Sequence, residues 1–213
     1  MVLVETFPVG ALQCNCTILA DEETREAVVI DPGDEAPRII ERLKAHDVSV
    51  KYLIHTHAHI DHVLATMPVK REMGGEALLH PADDFLYQNL AVQGAMLGLG
   101  QIEPQGPMDG PLVDGQVLTF GAGHAIEIMH TPGHSPGSCC FKCAVAGEDL
   151  VFSGDTLFMR GIGRTDLWGG SYPEIMTSIS ERLMTLGGDT KVIPGHGPRT
   201  SIGDEQLKNP FLT

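Results

Sequence analysis

Metal-ligating side chains crowd into one short stretch of the chain, Leu53-Ile54-His55-Thr56-His57-Ala58-His59-Ile60-Asp61-His62. It opens apolar, as a buried strand does, and then turns polar. His57, His59, Asp61 and His62 are four potential ligands in six residues, and imidazole mixed with carboxylate suits zinc, iron or manganese. In an extended segment His57, His59 and Asp61 point to one side. His62 falls where the chain turns into a helix. Two groups of ligands then diverge from one loop, which suits two neighbouring metals better than one. A loop of solvated histidines is the plain alternative, and the density of ligand types argues against it.

Three later stretches repeat the device. Thr131-Pro132-Gly133-His134-Ser135-Pro136-Gly137 sets His134 in a rigid turn, and Ser153-Gly154-Asp155-Thr156 sets Asp155 at the end of an apolar strand. Pro194-Gly195-His196-Gly197-Pro198 follows the last strand. Glycine and proline fix the backbone around each, and strand ends hold ligands more rigidly than free loops do. One such turn means little, since a glycine-flanked aspartate is usually a turn residue. Together, in the order His-x-His-x-Asp-His, His, Asp, His, they are specific.

This pattern resembles the metallo-β-lactamase superfamily of metallohydrolases. The resemblance implies two divalent transition metal ions, zinc first, with iron or manganese as alternatives. It implies His57, His59 and His134 on one, Asp61, His62 and His196 on the other, and Asp155 bridging both. Two cations about 3.5–4 Å apart need a shared anion, and the water between them becomes hydroxide near neutral pH. Asp61, as ligand, would also orient that hydroxide as a catalytic residue. Asp31-Pro32-Gly33 looks like the family's first motif, in which the aspartate supports the histidine loop through hydrogen bonds. A simple turn at Asp31 is the other reading. His55, His80, His124 and His130 fall outside the pattern and are expected to be structural or solvated.

Within the superfamily the chain looks most like the short bacterial glyoxalase II-like (hydroxyacylglutathione hydrolase-like) proteins. The similarity runs from Cys14-Asn15-Cys16 through Ser153 to Asp166 and on to Asn209-Pro210-Phe211-Leu212. It implies hydrolysis of glutathione thioesters such as S-D-lactoylglutathione, with metal-bound hydroxide attacking the carbonyl. The C-terminal helical domain of classical glyoxalase II, which contacts glutathione, is not expected here. Arg160 and Arg164 are expected in ion pairs more than on an anionic substrate. A persulfide dioxygenase of the same fold is the alternative. That branch shares a Gly-x-Gly-Arg-Thr-Asp stretch, matched by Gly161 to Asp166, and would hold one iron on His57, His134 and Asp155. A catalytically silent binding module would need a decayed site, and all seven ligand types are present.

The elements that must position these residues follow from hydrophobic spacing. Strands are expected over 2–9, 14–20, 27–30, 52–54, 77–79, 117–120, 125–130, 138–145, 150–153 and 191–193. Helices are expected over 35–45, 83–90, 172–186 and 204–208. Another is expected over 61–73, with Pro68 kinking it or ending its first half. Residues 93–111, rich in glycine and proline, make a long loop or broken helix that could rim a substrate cleft. Each half runs strands first and helices after, so the α/β class expected is an αββα four-layer sandwich, one metallo-β-lactamase-like domain over 1–213.

Composition narrows the partners. Asp plus Glu outnumber Lys plus Arg by 28 to 14, a formal charge of −14, which argues against nucleic acid and anionic membranes. A small-molecule thioester is the expected partner, and nothing signals an oligomeric state. Met1-Val2-Leu3-Val4-Glu5-Thr6-Phe7-Pro8 does not read as a signal peptide, so none is expected, and no stretch is long enough to span a membrane. The five cysteines are an odd number and sit in apolar segments, as buried free thiols in a reducing cytoplasm would. Cys140-x-x-Cys143 lacks the second pair that a zinc site would need.

Overall fold

Residues 1–213 are described by a computed structural model. The first half of the chain lays down β1 (Val2–Val9), β2 (Cys14–Asp21), β3 (Glu26–Ile30), β4 (Ser49–Ile54), β5 (Glu76–Leu79) and β6 (Gly110–Pro111) as neighbours in one six-stranded sheet. β1 to β3 are antiparallel, and β3 to β6 are parallel. Parallel neighbours need crossovers. These carry α1 (Ala36–Ala45), then α2 (Ile60–Val63) with α3 (Thr66–Met73), then α4 (Asp84–Gln88) with α5 (Leu90–Met96).

The second half adds β7 (Val117–Phe120), β8 (His124–His130), β9 (Cys139–Val145), β10 (Glu148–Gly154) and a ribbon of β11 (Leu157–Phe158) with β12 (Gly161–Ile162). Then come α6 (Tyr172–Ser178), β13 (Lys191–Pro194), β14 (Thr200–Ser201) and α7 (Ile202–Lys208). The second sheet runs β14-β13-β10-β9-β8-β7, with β10 and β13 parallel.

Period-two alternation decides which face of each strand is covered by what. Leu19, Val28, Ile30 and Ile54 of the first sheet meet Phe120, Ile128, Phe141 and Phe152 of the second. On the outer faces, Ile18, Val29 and Leu53 pack under Ile39, Leu43 and Val69. Cys140, Val151 and Val192 pack under Ile175, Ile179, Leu183 and Ile202. The layers are therefore helix, sheet, sheet, helix. Truncating an inter-sheet side chain such as Phe141 to alanine should cost about 3–5 kcal/mol.

Three elements differ from expectation. The helix expected over 61–73 is two helices, and the break precedes Pro68. The Ala65 N–H, which would bond the Asp61 carbonyl in a continuous helix, donates instead to the Pro32 carbonyl at 3.0 Å. Gly33 lies so close to the Asp61 carbonyl that a Cβ there would sit 1.6 Å from it. Pro68 then falls in the first turn of α3, where no helical donor is lost. The helix expected over 83–90 continues as α5 to Met96, so only the later part of 93–111 is irregular. The helix expected over 172–186 widens into a π turn at Ile179–Leu183. No helix is long and apolar enough to cross a membrane. All five cysteines are free and buried.

Candidate metal centre

Five strands, β3, β4, β8, β10 and β13, end at the same edge of the sandwich, and each runs directly into a chemistry-bearing loop. All seven predicted ligand residues meet there. His59 Nδ1 and His134 Nε2 lie 2.9 Å apart, and the nitrogens of His57, His59 and His134 cluster within 4.8 Å of one another. His62 Nε2 lies 3.3 Å from His196 Nε2, and His196 Nε2 lies 3.1 Å from Asp61 Oδ2. Asp155 stands between the groups: Oδ1 is 3.6 Å from His62 Nε2, and Oδ2 is 3.6 Å from His134 and 3.7 Å from His196.

The donor set fits divalent cations. His57 Nε2 and Asp155 Oδ1 are buried with no hydrogen-bond partner. An orphaned buried polar atom costs about 1–3 kcal/mol, and both atoms point into the cluster, where a cation would satisfy them. Neutral imidazoles are what a metal requires. Burial, then repulsion from His62 and His134, drives His57 well below the ordinary imidazole range. Burial and His134 push His59 down to about 3.

The second group is charged differently. Burial opposes charge on His62, but surrounding negative groups outweigh it and hold its pKa well above the ordinary value. Cys14 is one of those groups, yet burial pushes its thiol up to about 12, so at neutral pH the Asp61, Asp31 and Asp155 carboxylates carry the effect. His196 is likewise raised: burial lowers it, and the hydrogen bond to Asp61 prevails. Burial raises Asp61, and His62 and His196 more than reverse it.

Neighbouring groups aim the ligands. Asp31 accepts the Thr56 N–H and the Thr56 hydroxyl, both at 2.7 Å, and the His62 Nδ1–H at 3.0 Å. The support role is therefore present in the geometry, and Asp31 takes it with a left-handed backbone, φ 50°. His57 Nδ1–H donates to Thr56 Oγ1 at 3.2 Å. His134 Nδ1–H donates to the Arg164 carbonyl at 2.8 Å, which leaves Nε2 facing the cluster. Gly163 packs on the Asp155 carbonyl so tightly that a Cβ would lie 1.8 Å away. The Gly161 to Asp166 stretch thus sets the backbone around two ligands.

Several supports were not foreseen from sequence. Asp83 is buried and accepts from the Ala58 N–H at 2.9 Å, the Ser135 hydroxyl at 2.7 Å and the Gly137 N–H at 2.6 Å. It ties the His57–His59 loop to the His134 turn. Gln93 accepts the Ile60 N–H at 3.0 Å and donates to the Ala58 carbonyl at 3.2 Å. Asn15 donates to the Pro194 and Gly197 carbonyls, both at 2.9 Å, and so holds the His196 loop. Only Asn15 carried a signal, as part of the Cys14-Asn15-Cys16 similarity.

The other histidines lie apart from the cluster or serve the fold. His55 donates to the Leu78 carbonyl and accepts from Thr66. His80 stacks on His130, and His124 faces Asp21. Both arginines are paired, Arg160 with Glu205 and Arg164 with Asp166. A cleft of about 300 Å³ opens over the cluster, lined in part by Gln93, Met96 and Leu97. A larger groove of about 680 Å³ runs under residues 102–111 and contains none of the seven ligand residues. Only the start of the 93–111 segment therefore reaches the cleft.

The model of the metallo-beta-lactamase superfamily matches residues 9–196. The hydroxyacylglutathione hydrolase GloC of Haemophilus influenzae is 40% identical over 98% of this chain and 97% of its own length. The human mitochondrial persulfide dioxygenase ETHE1 is 32% identical over 95% of this chain and 73% of its own. The structure of TTHA1623 in a di-iron-bound form superposes with a TM-score of 0.86 at 36% identity, covering 98% of this chain and all of that one. Matched along most of its length by the family's sequence model and by its fold, the chain belongs to the metallo-beta-lactamase superfamily and is an enzyme of its metallohydrolase class.

Proposed function

We propose that this enzyme hydrolyses thioesters, glutathione thioesters such as S-D-lactoylglutathione among them, with two divalent metals held by the seven residues. The observation that carries the reading is the complete second group. Asp61, His62 and His196 converge beside His57, His59 and His134, with the unpartnered Asp155 Oδ1 between them. Bound metals would supply the charge that acidifies water and polarises a carbonyl oxygen. The chain's own part is positional. Asp31 and Asp83 hold the histidine loop, the Arg164 carbonyl fixes the His134 tautomer, and Asp61 orients the attacking water through its carboxylate. Zinc is the first choice of metal and iron or manganese the alternatives. The similarity to GloC over nearly the whole length supports the thioester.

Persulfide dioxygenation with one iron on His57, His134 and Asp155 is the second reading, favoured by the likeness to ETHE1; the Gly161 to Asp166 stretch resembles that branch as well. That stretch holds His134 and packs on Asp155, a duty common to both reactions, so it favours neither. The test offers S-D-lactoylglutathione and glutathione persulfide to zinc-loaded and iron-loaded enzyme, with thiol release and dissolved oxygen followed together. Thiol release by the zinc form is expected, since zinc has no redox chemistry. Oxygen uptake confined to the iron form, with no thioester turnover, would establish the dioxygenase instead.

A further inference from the structure

The cleft over the candidate metal centre is walled by carbon. Leu12 reaches it from the β1–β2 turn, Met96 and Leu97 from the end of α5, and Leu167 and Trp168 from the loop after β12. Four of these are unusually open for large apolar side chains: Leu12 is 43% exposed, Met96 66%, Leu97 50% and Trp168 43%. Scattered exposed apolar residues need no explanation, but several from separate segments around one opening mark a binding surface.

The polar groups outside the seven ligands are already committed. The Gln93 amide is used on the Ile60 N–H and on the Ala58 and Leu86 carbonyls. Arg164, the single Arg or Lys of the lining, is paired with Asp166 by bonds of 2.7 and 2.8 Å, so a carrier carboxylate would have to compete with one already in place.

We infer that the site selects its substrate by an apolar acyl chain beside the scissile carbonyl, not by the charges of the thiol carrier; this rests on the thioester-hydrolase reading above. Glutathione carries two carboxylates and an ammonium. Seated against this wall, they would lose water and find no uncommitted partner. The chain's formal charge of −14 adds long-range repulsion of an anionic carrier. An acyl chain gains from the same wall, about two- to fourfold in affinity for each methylene it buries. A cleft of about 300 Å³ is at the small end of ligand pockets and suits a short chain better than a whole tripeptide.

Trp168 is the only tryptophan of the chain, so its emission reports on the cleft without any turnover. The metal-loaded protein is titrated with S-methyl-, S-butyl- and S-hexylglutathione, thioethers that cannot be hydrolysed. The same alkyl groups on uncharged N-acetylcysteamine form the second series. Kd should fall about two- to fourfold per methylene until the cleft is full, and nearly equally on both carriers. Met96→Glu or Leu97→Glu should weaken the hexyl ligands about tenfold while metal content stays. Affinity that ignores chain length would overturn the inference. So would glutathione ligands binding more than about tenfold tighter than their uncharged counterparts, or emission that follows protein concentration and not ligand, which would mean that a second copy covers the wall. Chain-length-dependent binding without thioester turnover would uphold apolar recognition and sink the reaction.

Discussion

At the end of the sandwich remote from the candidate metal centre, Asp21 closes β2 and accepts the Glu23 and Ala122 N–H groups and the Thr24 hydroxyl. At the near end, Asp83 follows β5 and accepts two N–H groups and a hydroxyl in the same way. Both carboxyls link the two halves of the fold, yet they titrate in opposite directions. The backbone bonds from Glu23 and Ala122 lower Asp21 to about 2. Burial raises Asp83 above the ordinary carboxylate range in spite of its three bonds. The far end thus gains stability from its charge. The near end carries a desolvated carboxyl because that group joins two ligand loops. Geometry is kept there at some cost in stability.

The sharpest way to break this division is to remove the group on which both halves of the site converge. Asp155→Ala should lose more metal than His196→Ala, because two cations would then face each other with less compensating charge. Activity should fall by more than the roughly 100-fold that removal of an outer partner costs. Elemental analysis of chromatographed protein, alongside thermal unfolding, gives the answer. Full metal content and full rate in Asp155→Ala would refute the bridging role.

Asp83→Ala should act next in order, on both geometry and stability. It strands the Ala58 and Gly137 N–H groups, at about 1–3 kcal/mol for each donor left unpaired. It should also cost about 10–100-fold in metal affinity, as loss of an outer-sphere support does. Asp83→Asn keeps one acceptor and should recover part of both. A variant that unfolds more easily but binds metal with wild-type affinity would make Asp83 a fold residue only, and the two ends would no longer differ.

Asp83 also shows where sequence reasoning stops. The seven candidate ligand positions were legible because four crowd into one stretch after a strand, and His134, Asp155 and His196 each stand beside glycine at a strand end. The two-sheet sandwich was legible because strand alternation and helical spacing are local. Asp83 stands in Pro81-Ala82-Asp83-Asp84, which looks like an ordinary helix start, and its partners lie 25 to 54 residues away. The break before Pro68 was missed for the same reason: a carbonyl from Pro32, distant in sequence, takes the Ala65 N–H. β6, β11, β12 and β14 span two residues each, too short for any alternation to register.

A smaller effect, and one of opposite sign between the ends, is expected with pH in the chelated protein. Asp21 is lowered from 3.8 to about 2, so the folded state binds its proton less readily than the unfolded chain. Its stabilisation is complete above the ordinary value and is lost as pH falls from there towards about 2. For Asp83, raised by burial, the contribution falls as pH rises through the window above 3.8. Urea unfolding of wild type and Asp21→Asn from about pH 6 down to about pH 2 should show the variant's deficit shrinking with acid. A deficit that grows with acid would mean that Asp21 is not the anion its bonds imply.

The smallest effect should come from a residue inside the ligand loop itself. Arg164 lines the cleft, but its side chain is 62% exposed and paired with an equally open Asp166. Such pairs contribute little in water. What holds His134 is the Arg164 carbonyl, at 2.8 Å, and every residue type supplies one. Arg164→Ala should therefore leave metal content unchanged and shift Tm by no more than the scatter of the measurement. Gly163→Ala, one position earlier, should lose metal, because its Cβ would lie 1.8 Å from the Asp155 carbonyl and 3.2 Å from the His134 Cβ. Measured side by side, the pair separates backbone support from side-chain charge. If Arg164→Ala lost metal and Gly163→Ala kept it, the guanidinium would be the group that sets the site. The near end would then be held by side-chain charge, as the far end is held by the charge of the hydrogen-bonded Asp21 carboxylate, and the contrast between the two would disappear.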